Sequence, residues 1–205
     1  MRIGMILDYT FPPDPRVENE AVSLIKAGHE VFLFCLNFTN EKEREVINGI
    51  NVCRYKCTIL DYKLSALSYT VPLYSLLMKP RIKAFIIENK IEALHIHDIR
   101  IADAVFKANK EFNLPTVLDL HDNMPEVMKL YPHLQKFPGK YIISPEKWKV
   151  KEEQFIQKAT KIITVSNEFI EEVVVRTNIA SDKIVLVPNT IRESFYKEVT
   201  INDSI

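Results

Sequence analysis

Histidine, carboxylate, hydroxyl and amide side chains stand directly after apolar runs at several places in the sequence. These positions are Asp8, His97 with Asp98, His121 with Asp122, Ser166 and Asn189. An imidazole can orient a hydroxyl group and stabilise charge near neutral pH, and a carboxylate can hold a reacting hydroxyl. These residue types favour a binding or catalytic site, provided that the fold brings the positions together.

A second group of charged residues marks the start of the first predicted helix. Asp14 precedes Pro15, an order typical of a helix N-terminus, because Asp caps free N–H groups and Pro fits the first helical position. Arg16 follows in the same turn, where a guanidinium can make a bidentate contact with a phosphate. The capping role alone is sufficient to explain Asp14.

The elements that must position these side chains alternate between strand and helix. Apolar runs predict seven strands, at 2–8, 30–36, 50–55, 92–97, 116–120, 161–165 and 183–187. Helical patterns lie between them, at about 15–27, 80–89, 99–112, 146–159 and 167–177, and residues 122–145 form a long irregular stretch rich in proline. The alternation predicts an α/β fold with a doubly wound, mainly parallel sheet and helices on both faces. In such sheets the carboxyl ends of the strands share one edge, where ligands bind.

Composition excludes several other classes of protein. The 205 residues are 47% hydrophobic, enough for a sizeable core, and the 27 basic residues equal the 27 acidic ones. This balance argues against a nucleic-acid partner. The most apolar stretch, 64–78, is too short to span a bilayer and contains Pro72. The first residues do not resemble a secretory signal, and three cysteines without finger-like spacing fit free thiols, so we expect a cytoplasmic protein.

The motifs of common α/β enzymes are missing from the sequence. The four glycines, at 4, 28, 49 and 139, do not form a nucleotide-binding loop after the first strand, and no nucleophile elbow is present. His95 and His97 would point to one face of their strand and Asp98 to the other. We therefore expect no metal ion and no cofactor.

Seven segments in order carry a resemblance to the N-terminal domain of retaining glycosyltransferases of family four. They are 1–8 (MRIGMILD), 13–17 (PDPRV), 27–31 (AGHEV), 94–98 (LHIHD), 115–121 (PTVLDLH), 161–166 (KIITVS) and 187–189 (VPN). The sequence departs from that family at two places. Pro12 and Pro13 stand where the family often has glycines, and Thr190 stands where it often has the glycine of Pro-Asn-Gly.

The resemblance implies a GT-B fold whose N-terminal, acceptor-side domain is residues 1–190. Residues 191–205 would begin the linker to a C-terminal domain that binds most of the nucleotide-sugar donor. The implied activity is transfer of a sugar, without a metal ion, from a nucleotide sugar to a glycan or lipid-linked acceptor in surface polysaccharide synthesis. The 205 residues alone are expected to be inactive. By the same resemblance His121 would hydrogen-bond the donor sugar, and Asp98 and Glu126 would orient the acceptor hydroxyl. Substrate contacts are expected from Asp14, Arg16, His97, Asp122, Ser166 and Asn189.

Two other functions share this fold and stay open at the level of the sequence. One is half of a non-hydrolysing sugar-nucleotide epimerase, and the other is a non-catalytic subunit whose partner chain supplies the donor domain. Residues 126–151 also carry six lysines and four aromatic residues, which suggests peripheral contact with a membrane that bears the acceptor. A solvated basic loop beside a buried helix explains the same composition.

Overall fold

The chain forms a single eight-stranded sheet in the part that the computed structural model describes, residues 1–137 and 139–190. The strands are β1 Arg2–Ile6, β2 Glu30–Asn37, β3 Arg44–Ile47, β4 Ile50–Lys56, β5 Ala93–His97, β6 Thr116–Leu120, β7 Lys161–Thr164 and β8 Ile184–Leu186. Their order across the sheet is β3-β4-β2-β1-β5-β6-β7-β8. All neighbours run parallel except β3, which is antiparallel to β4. The predicted α/β fold with a mainly parallel sheet is confirmed.

Helices connect the strands and cover the two faces of the sheet unequally. They are α1 Pro15–Lys26, α2 Ile59–Ser65, α3 Leu73–Glu88, α4 Ala102–Asn109, α5 Met124–Met128, α6 Gly139–Ile142, α7 Pro145–Lys158 and α8 Asn167–Thr177. On one face α1 packs through Val17 and Ala21 against Met5 and Leu33 of the sheet. On the other face α3, α4, α7 and α8 bury the larger core cluster. Gly4 permits this packing, since a Cβ there would lie 2.9 Å from Phe85 of α3.

Strand β3 is the element of the sheet that the sequence pattern did not predict. It has four residues, is only half-buried or exposed, and forms the sheet edge. The turn to β4 contains Asn48 and Gly49, both with positive φ, at 50° and 83°. An Asn-Gly pair is a strong signal for a two-residue hairpin turn. The turn residues therefore indicate this hairpin, although the strand before them has no apolar run.

Helix α3 begins earlier than predicted, at Leu73 instead of near residue 80, and contains Pro80. Proline removes one helical hydrogen bond and usually marks a boundary. Here the buried side chains of Tyr74, Met78, Ile82 and Phe85 recur at helical spacing across Pro80. Packing of that face against the sheet outweighs the lost bond, and the apolar stretch 64–78 is in part the beginning of this core helix.

Candidate active site

The carboxyl ends of β5, β6 and β7 lie next to one another at one edge of the sheet. His97 at the end of β5 is in register with Asp119 of β6, and Leu120 is in register with Thr164 of β7. The positions that follow these strands, His121 and Ser166 among them, therefore share this edge, as the parallel fold requires. We call it the carboxyl rim.

The strand order reverses direction between β1 and β5, and a polar cavity of about 200 Å³ lies at that point. It is lined by residues that follow β1 and β5, by the start of α1, and by one residue each of α2 and α5: Leu7, Asp8, Tyr9, Asp14, Arg16, Tyr62, Asp98, Arg100 and Met124. Open α/β sheets bind ligands where the strand order reverses. Carboxylates, guanidiniums and phenols together suit a ligand rich in hydroxyl groups.

Asp8 is the most perturbed carboxyl group in this cavity. Its side chain is 6% exposed, Arg100 Nε lies 3.7 Å from Oδ2, and the Tyr74 hydroxyl donates a hydrogen bond to Oδ1. Burial raises the pKa of Asp8 to about 7, although Arg100 and the Tyr74 hydrogen bond oppose that rise. Asp8 thus changes charge near neutral pH, inside a cavity that faces the rim.

His121 and Asp119 form a close pair at the end of β6. His121 Nε2 lies 2.5 Å from Asp119 Oδ2, and Asp119 is fully buried. Burial lowers the pKa of His121, but the contact with Asp119 outweighs it, so the pKa is raised overall. For Asp119 the two effects have the opposite sign. Burial raises its pKa, but the contacts with His121 and His97 lower that pKa by more, so it lies below its ordinary value. The pair therefore favours a charged imidazole at the rim.

Three further polar side chains lie against this pair. His97 Nδ1 is 3.0 Å from Asp119 Oδ2, and the His95 and His97 rings stack with centroids 4.4 Å apart. Glu20 of α1 approaches from above, with Oε2 3.4 Å from His95 Nε2. Burial lowers the pKa of His95 to about 3, so its imidazole is neutral. Glu20, His95, His97 and Asp119 each offer a ligand atom, and these atoms lie within 4.8 Å of one another.

The first helical turn has the predicted Asp14 cap, and its Arg16 side chain borders two cavities. Asp14 caps α1, because its Oδ1 accepts hydrogen bonds from the backbone N–H groups of Arg16 at 3.1 Å and Val17 at 3.3 Å. Its other oxygen pairs with Arg16 Nη2 at 3.2 Å. Arg16 lines the polar cavity and also a second, mainly apolar cavity of about 500 Å³ between α1 and β6–β8. A ligand in either cavity would meet this guanidinium.

The remaining predicted site residues are spread over a wider area. Asp98 lies in the polar cavity with φ at 65°, a conformation that Asp tolerates. Asn189 lines the apolar cavity, and Asp122 is exposed just after β6. Ser166 caps α8 by accepting a hydrogen bond from the Phe169 N–H at 3.2 Å. Glu126 on α5 pairs with Lys129 at 2.7 Å and Lys149 at 3.6 Å, and it lines neither of these two cavities.

Sequence reasoning did not select several residues that the structure places in this region. Asp119 precedes His121 by two positions and His95 precedes His97 by two, so each pair shares one face of its strand. Glu20 lies four positions after Arg16, on the same face of α1. These spacings were readable, but the contact between α1 and β5 that brings Glu20 to His95 depends on tertiary packing.

The chain is similar to known proteins in both sequence and structure. The sequence profile of Glycosyltransferase Family 4 matches residues 16–195. No curated protein sequence gives a match. Among solved structures, sucrose-phosphate synthase from Thermosynechococcus elongatus is 15% identical with a TM-score of 0.68, and the match covers 93% of this chain and 48% of that one.

Two further structures show the same fold at lower similarity. UDP-GlcNAc 2-epimerase from Methanocaldococcus jannaschii is 12% identical with a TM-score of 0.57, and the match covers 100% of this chain and 50% of that one. A trehalose-6-phosphate structure from E. coli, bound with UDP-2-fluoro glucose, is 12% identical with a TM-score of 0.52, and the match covers 85% and 42% of the two chains. This chain thus spans about half the length of each of these three proteins.

Proposed function

The chain belongs to glycosyltransferase family 4, and from this premise we propose that it is the N-terminal, acceptor-side half of a retaining sugar transferase with the GT-B fold. The donor is a nucleotide sugar, and a C-terminal domain beyond residue 190 grips most of it. The acceptor is a glycan or a lipid-linked glycan, and surface polysaccharide synthesis is the setting. The half-length coverage of solved glycosyltransferases supports the division into two domains.

The observation that carries this proposal is the His121–Asp119 pair at the carboxyl rim. Burial lowers the pKa of His121, but the contact with Asp119 raises it by more. The net effect is a raised pKa, so Asp119 favours the charged form of His121. Cleavage of a bond between a sugar and a diphosphate puts negative charge on the leaving group. A fixed cationic hydrogen-bond donor at the rim stabilises that charge or holds a hydroxyl of the donor sugar.

The polar cavity at the strand reversal is the proposed acceptor site. Asp8, Asp98 and Arg100 present acceptors and donors of hydrogen bonds to a volume of about 200 Å³. A sugar ring needs such alternating partners for its hydroxyl groups. Asp98 would orient the attacking hydroxyl, and Arg16, which borders both cavities, would face the phosphates of the donor.

The direct test is a transfer assay with the chain alone and with the chain joined to its C-terminal domain. A panel of UDP- and GDP-sugars would be offered with glycan and lipid-linked acceptors, and NMR would read the anomeric configuration of the product. We expect retention of configuration from the two-domain protein and negligible transfer from residues 1–205. Micromolar affinity of the isolated chain for a nucleotide sugar, measured by calorimetry, would contradict the division of labour.

A sugar-nucleotide epimerase is the competing function, because UDP-GlcNAc 2-epimerase from Methanocaldococcus jannaschii has the same fold. An epimerase converts its nucleotide sugar without any acceptor, whereas a transferase consumes its nucleotide sugar only slowly when no acceptor is present. Incubation of the two-domain protein with UDP-GlcNAc and no acceptor separates the two activities. A second competitor, a non-catalytic subunit, requires a partner chain, and activity that appears only on mixing two chains would favour it.

Contact with a membrane is the proposed way of reaching a lipid-linked acceptor. Phe137 and Tyr141 are 84% and 78% exposed, and the neighbouring segment is held to residues 64–78 by a hydrogen bond from Thr70 Oγ1 to the Ile142 carbonyl at 2.7 Å. Six lysines flank these two aromatic residues along the chain, at positions 129, 136, 140, 147, 149 and 151. No helix in the described ranges has the length and apolar character to cross a bilayer.

Flotation with liposomes tests this contact. We expect binding to anionic vesicles at low salt and its loss in a Phe137→Ser/Tyr141→Ser variant, because exposed aromatic rings insert at the headgroup level. Val175→Ser is a matched control, since Val175 is also exposed, at 83%, but lies on α8. Equal flotation of the double variant and the control would rule out the aromatic patch as the anchor.

A further inference from the structure

Four side chains from three elements meet beneath the carboxyl rim, on the α1 face of the sheet. Glu20 comes from α1, His95 and His97 come from β5, and Asp119 comes from β6. One ligand atom from each residue lies within 4.8 Å of the others. We propose that these four residues bind a first-row divalent metal ion, with Zn²⁺ the best match.

The distances between the ligand atoms fit a four-coordinate ion. His97 Nδ1 and Asp119 Oδ2 are 3.0 Å apart, His95 Nε2 and Glu20 Oε2 are 3.4 Å apart, and His95 Nε2 and Asp119 Oδ2 are 3.9 Å apart. Tetrahedral Zn²⁺ with bonds of about 2.0–2.1 Å places its ligand atoms about 3.4 Å from one another. These three separations bracket that value and all six lie within 4.8 Å, so side-chain rotations that shorten the longer separations would complete the coordination.

The choice of metal follows from the donor atoms. Two imidazole nitrogens with two carboxylate oxygens suit Zn²⁺ and its first-row neighbours, whereas Mg²⁺ and Ca²⁺ prefer oxygen ligands alone. The two carboxylates, Glu20 and Asp119, also match the charge of a divalent ion. Asp98 is not part of this donor set, because it lines the polar cavity instead.

The buried polar atoms of the cluster supply an independent observation. Glu20 Oε2, His95 Nε2 and Asp119 Oδ1 have no hydrogen-bond partner among the described residues. His95 is 5% exposed and Asp119 is fully buried, so both are more than nine-tenths buried. Buried polar atoms without partners destabilise a fold, and an ion bound between Glu20 Oε2 and His95 Nε2 would satisfy both atoms.

An ion has a route to this position. Glu20 and His95 line the apolar cavity of about 500 Å³ between α1 and β6–β8. His97 and Asp119 lie deeper, with no exposed surface. The ion would therefore enter from the cavity and bind at its floor, where it would fasten α1 to β5 and β6 directly below His121.

A hydrogen-bonded cluster without metal is the alternative arrangement of the same residues. Asp119 Oδ2 already contacts His97 Nδ1 at 3.0 Å and His121 Nε2 at 2.5 Å. In that arrangement Asp119 is held by protons on the two imidazoles, and Glu20 and His95 make only longer contacts with the cluster, at 3.9 Å to His121 and Asp119 respectively. Substitutions at Glu20 and His95 consequently separate the two arrangements.

The experiment measures metal binding by the purified chain, independently of any transferase activity. The protein is stripped with EDTA, and Zn²⁺ alone is titrated by calorimetry, with Mg²⁺ as the comparison ion. We expect one Zn²⁺ per chain, a higher Tm with Zn²⁺ than with EDTA, and no comparable effect of Mg²⁺. Co²⁺ loading adds a visible absorption band whose intensity reports tetrahedral coordination.

Matched variants decide whether the four residues are the ligands. Glu20→Gln and His95→Gln keep the side-chain volume, and each should weaken Zn²⁺ binding by about tenfold or more, since even indirect changes near a metal cost about 10–100-fold. His133→Gln is the control, because His133 is an exposed histidine that follows α5 in the chain and does not belong to the cluster. Far-UV circular dichroism verifies that each variant is folded. Absence of stoichiometric Zn²⁺ binding, or binding that survives both Glu20→Gln and His95→Gln, would overturn the proposal.

Discussion

Asp8→Asn should remove a large pH dependence from the stability of this protein. Burial raises the pKa of Asp8 from 3.8 to about 7 in the folded chain. A carboxyl group whose pKa is raised by folding stabilises the folded state while it is protonated. That contribution is complete below the unfolded pKa near 4 and is lost as the pH rises through about 7. Asparagine is neutral throughout and cannot show this loss.

The size of the effect follows from the two pKa values. Each pKa unit corresponds to about 1.4 kcal/mol, so the rise from 3.8 to about 7 amounts to roughly 4 kcal/mol between low and neutral pH. Other titrating groups are present in both proteins and cancel in the difference. The stability of Asp8→Asn relative to the wild type should therefore increase by up to roughly 4 kcal/mol between about pH 4 and pH 8.

Urea denaturation of both proteins at a series of pH values measures this difference. Asp182→Asn is the control, because Asp182 is exposed, and its difference from the wild type should be flat. Tyr74→Phe adds a second check: the Tyr74 hydroxyl donates a hydrogen bond to Asp8, which favours the ionised form. Without it the pKa of Asp8 should rise further, and the pH-dependent loss of stability should move to higher pH. A constant difference between Asp8→Asn and the wild type across the range would refute the reasoning.

Three further substitutions test the rim and the core. In the two-domain enzyme His121→Ala should lower turnover by about 10²–10³-fold. The unfolding midpoint should change much less, because Asp119 keeps its 3.0 Å hydrogen bond with His97. Wild-type turnover in this variant would show that His121 is not part of the site. Arg176→Ala should destabilise the fold by about 3–5 kcal/mol in urea denaturation, since it leaves the fully buried Glu152 carboxylate without its ion-pair partner; a loss under about 1 kcal/mol would contradict this. Ser166→Ala should cost about 1 kcal/mol through loss of the α8 cap, seen as a lower Tm, and an unchanged Tm would show that the cap contributes nothing.

The sequence predicted the sheet well because its parallel strands are buried on both faces. Strand β2 has a long apolar run and β6 is mainly apolar apart from Asp119, and their predicted bounds differ from the observed ones by one residue at most. The errors occur where stability comes from other sources. Strand β3 is an exposed hairpin edge, and α3 continues through Pro80 because tertiary packing overrides local preference.

The site was predictable to the extent that topology alone fixes it. Parallel strands bring His97, His121 and Ser166 to one edge of the sheet through backbone topology alone. The strand pattern of the sequence is therefore sufficient to predict this edge. The partners of these residues were not predictable in the same way. Asp119 shares a strand face with His121, so its role could be read from the spacing, but Glu20 reaches His95 only through the packing of α1 on one face of the sheet.

The glycine-free loop after β1 and the capping of α1 have one physical consequence for the proposed donor site. Glycines in such a loop let backbone N–H groups approach a phosphate, but Pro12 and Pro13 have no N–H to offer. The first two N–H groups of α1, those of Arg16 and Val17, already bind the Asp14 side chain. An anion at this helix end must therefore be held by the Arg16 side chain, which also pairs with Asp14 at 3.2 Å. Under the proposed function, donor binding exchanges one carboxylate partner of Arg16 for a phosphate, and Asp14 both holds the guanidinium in place and competes for it.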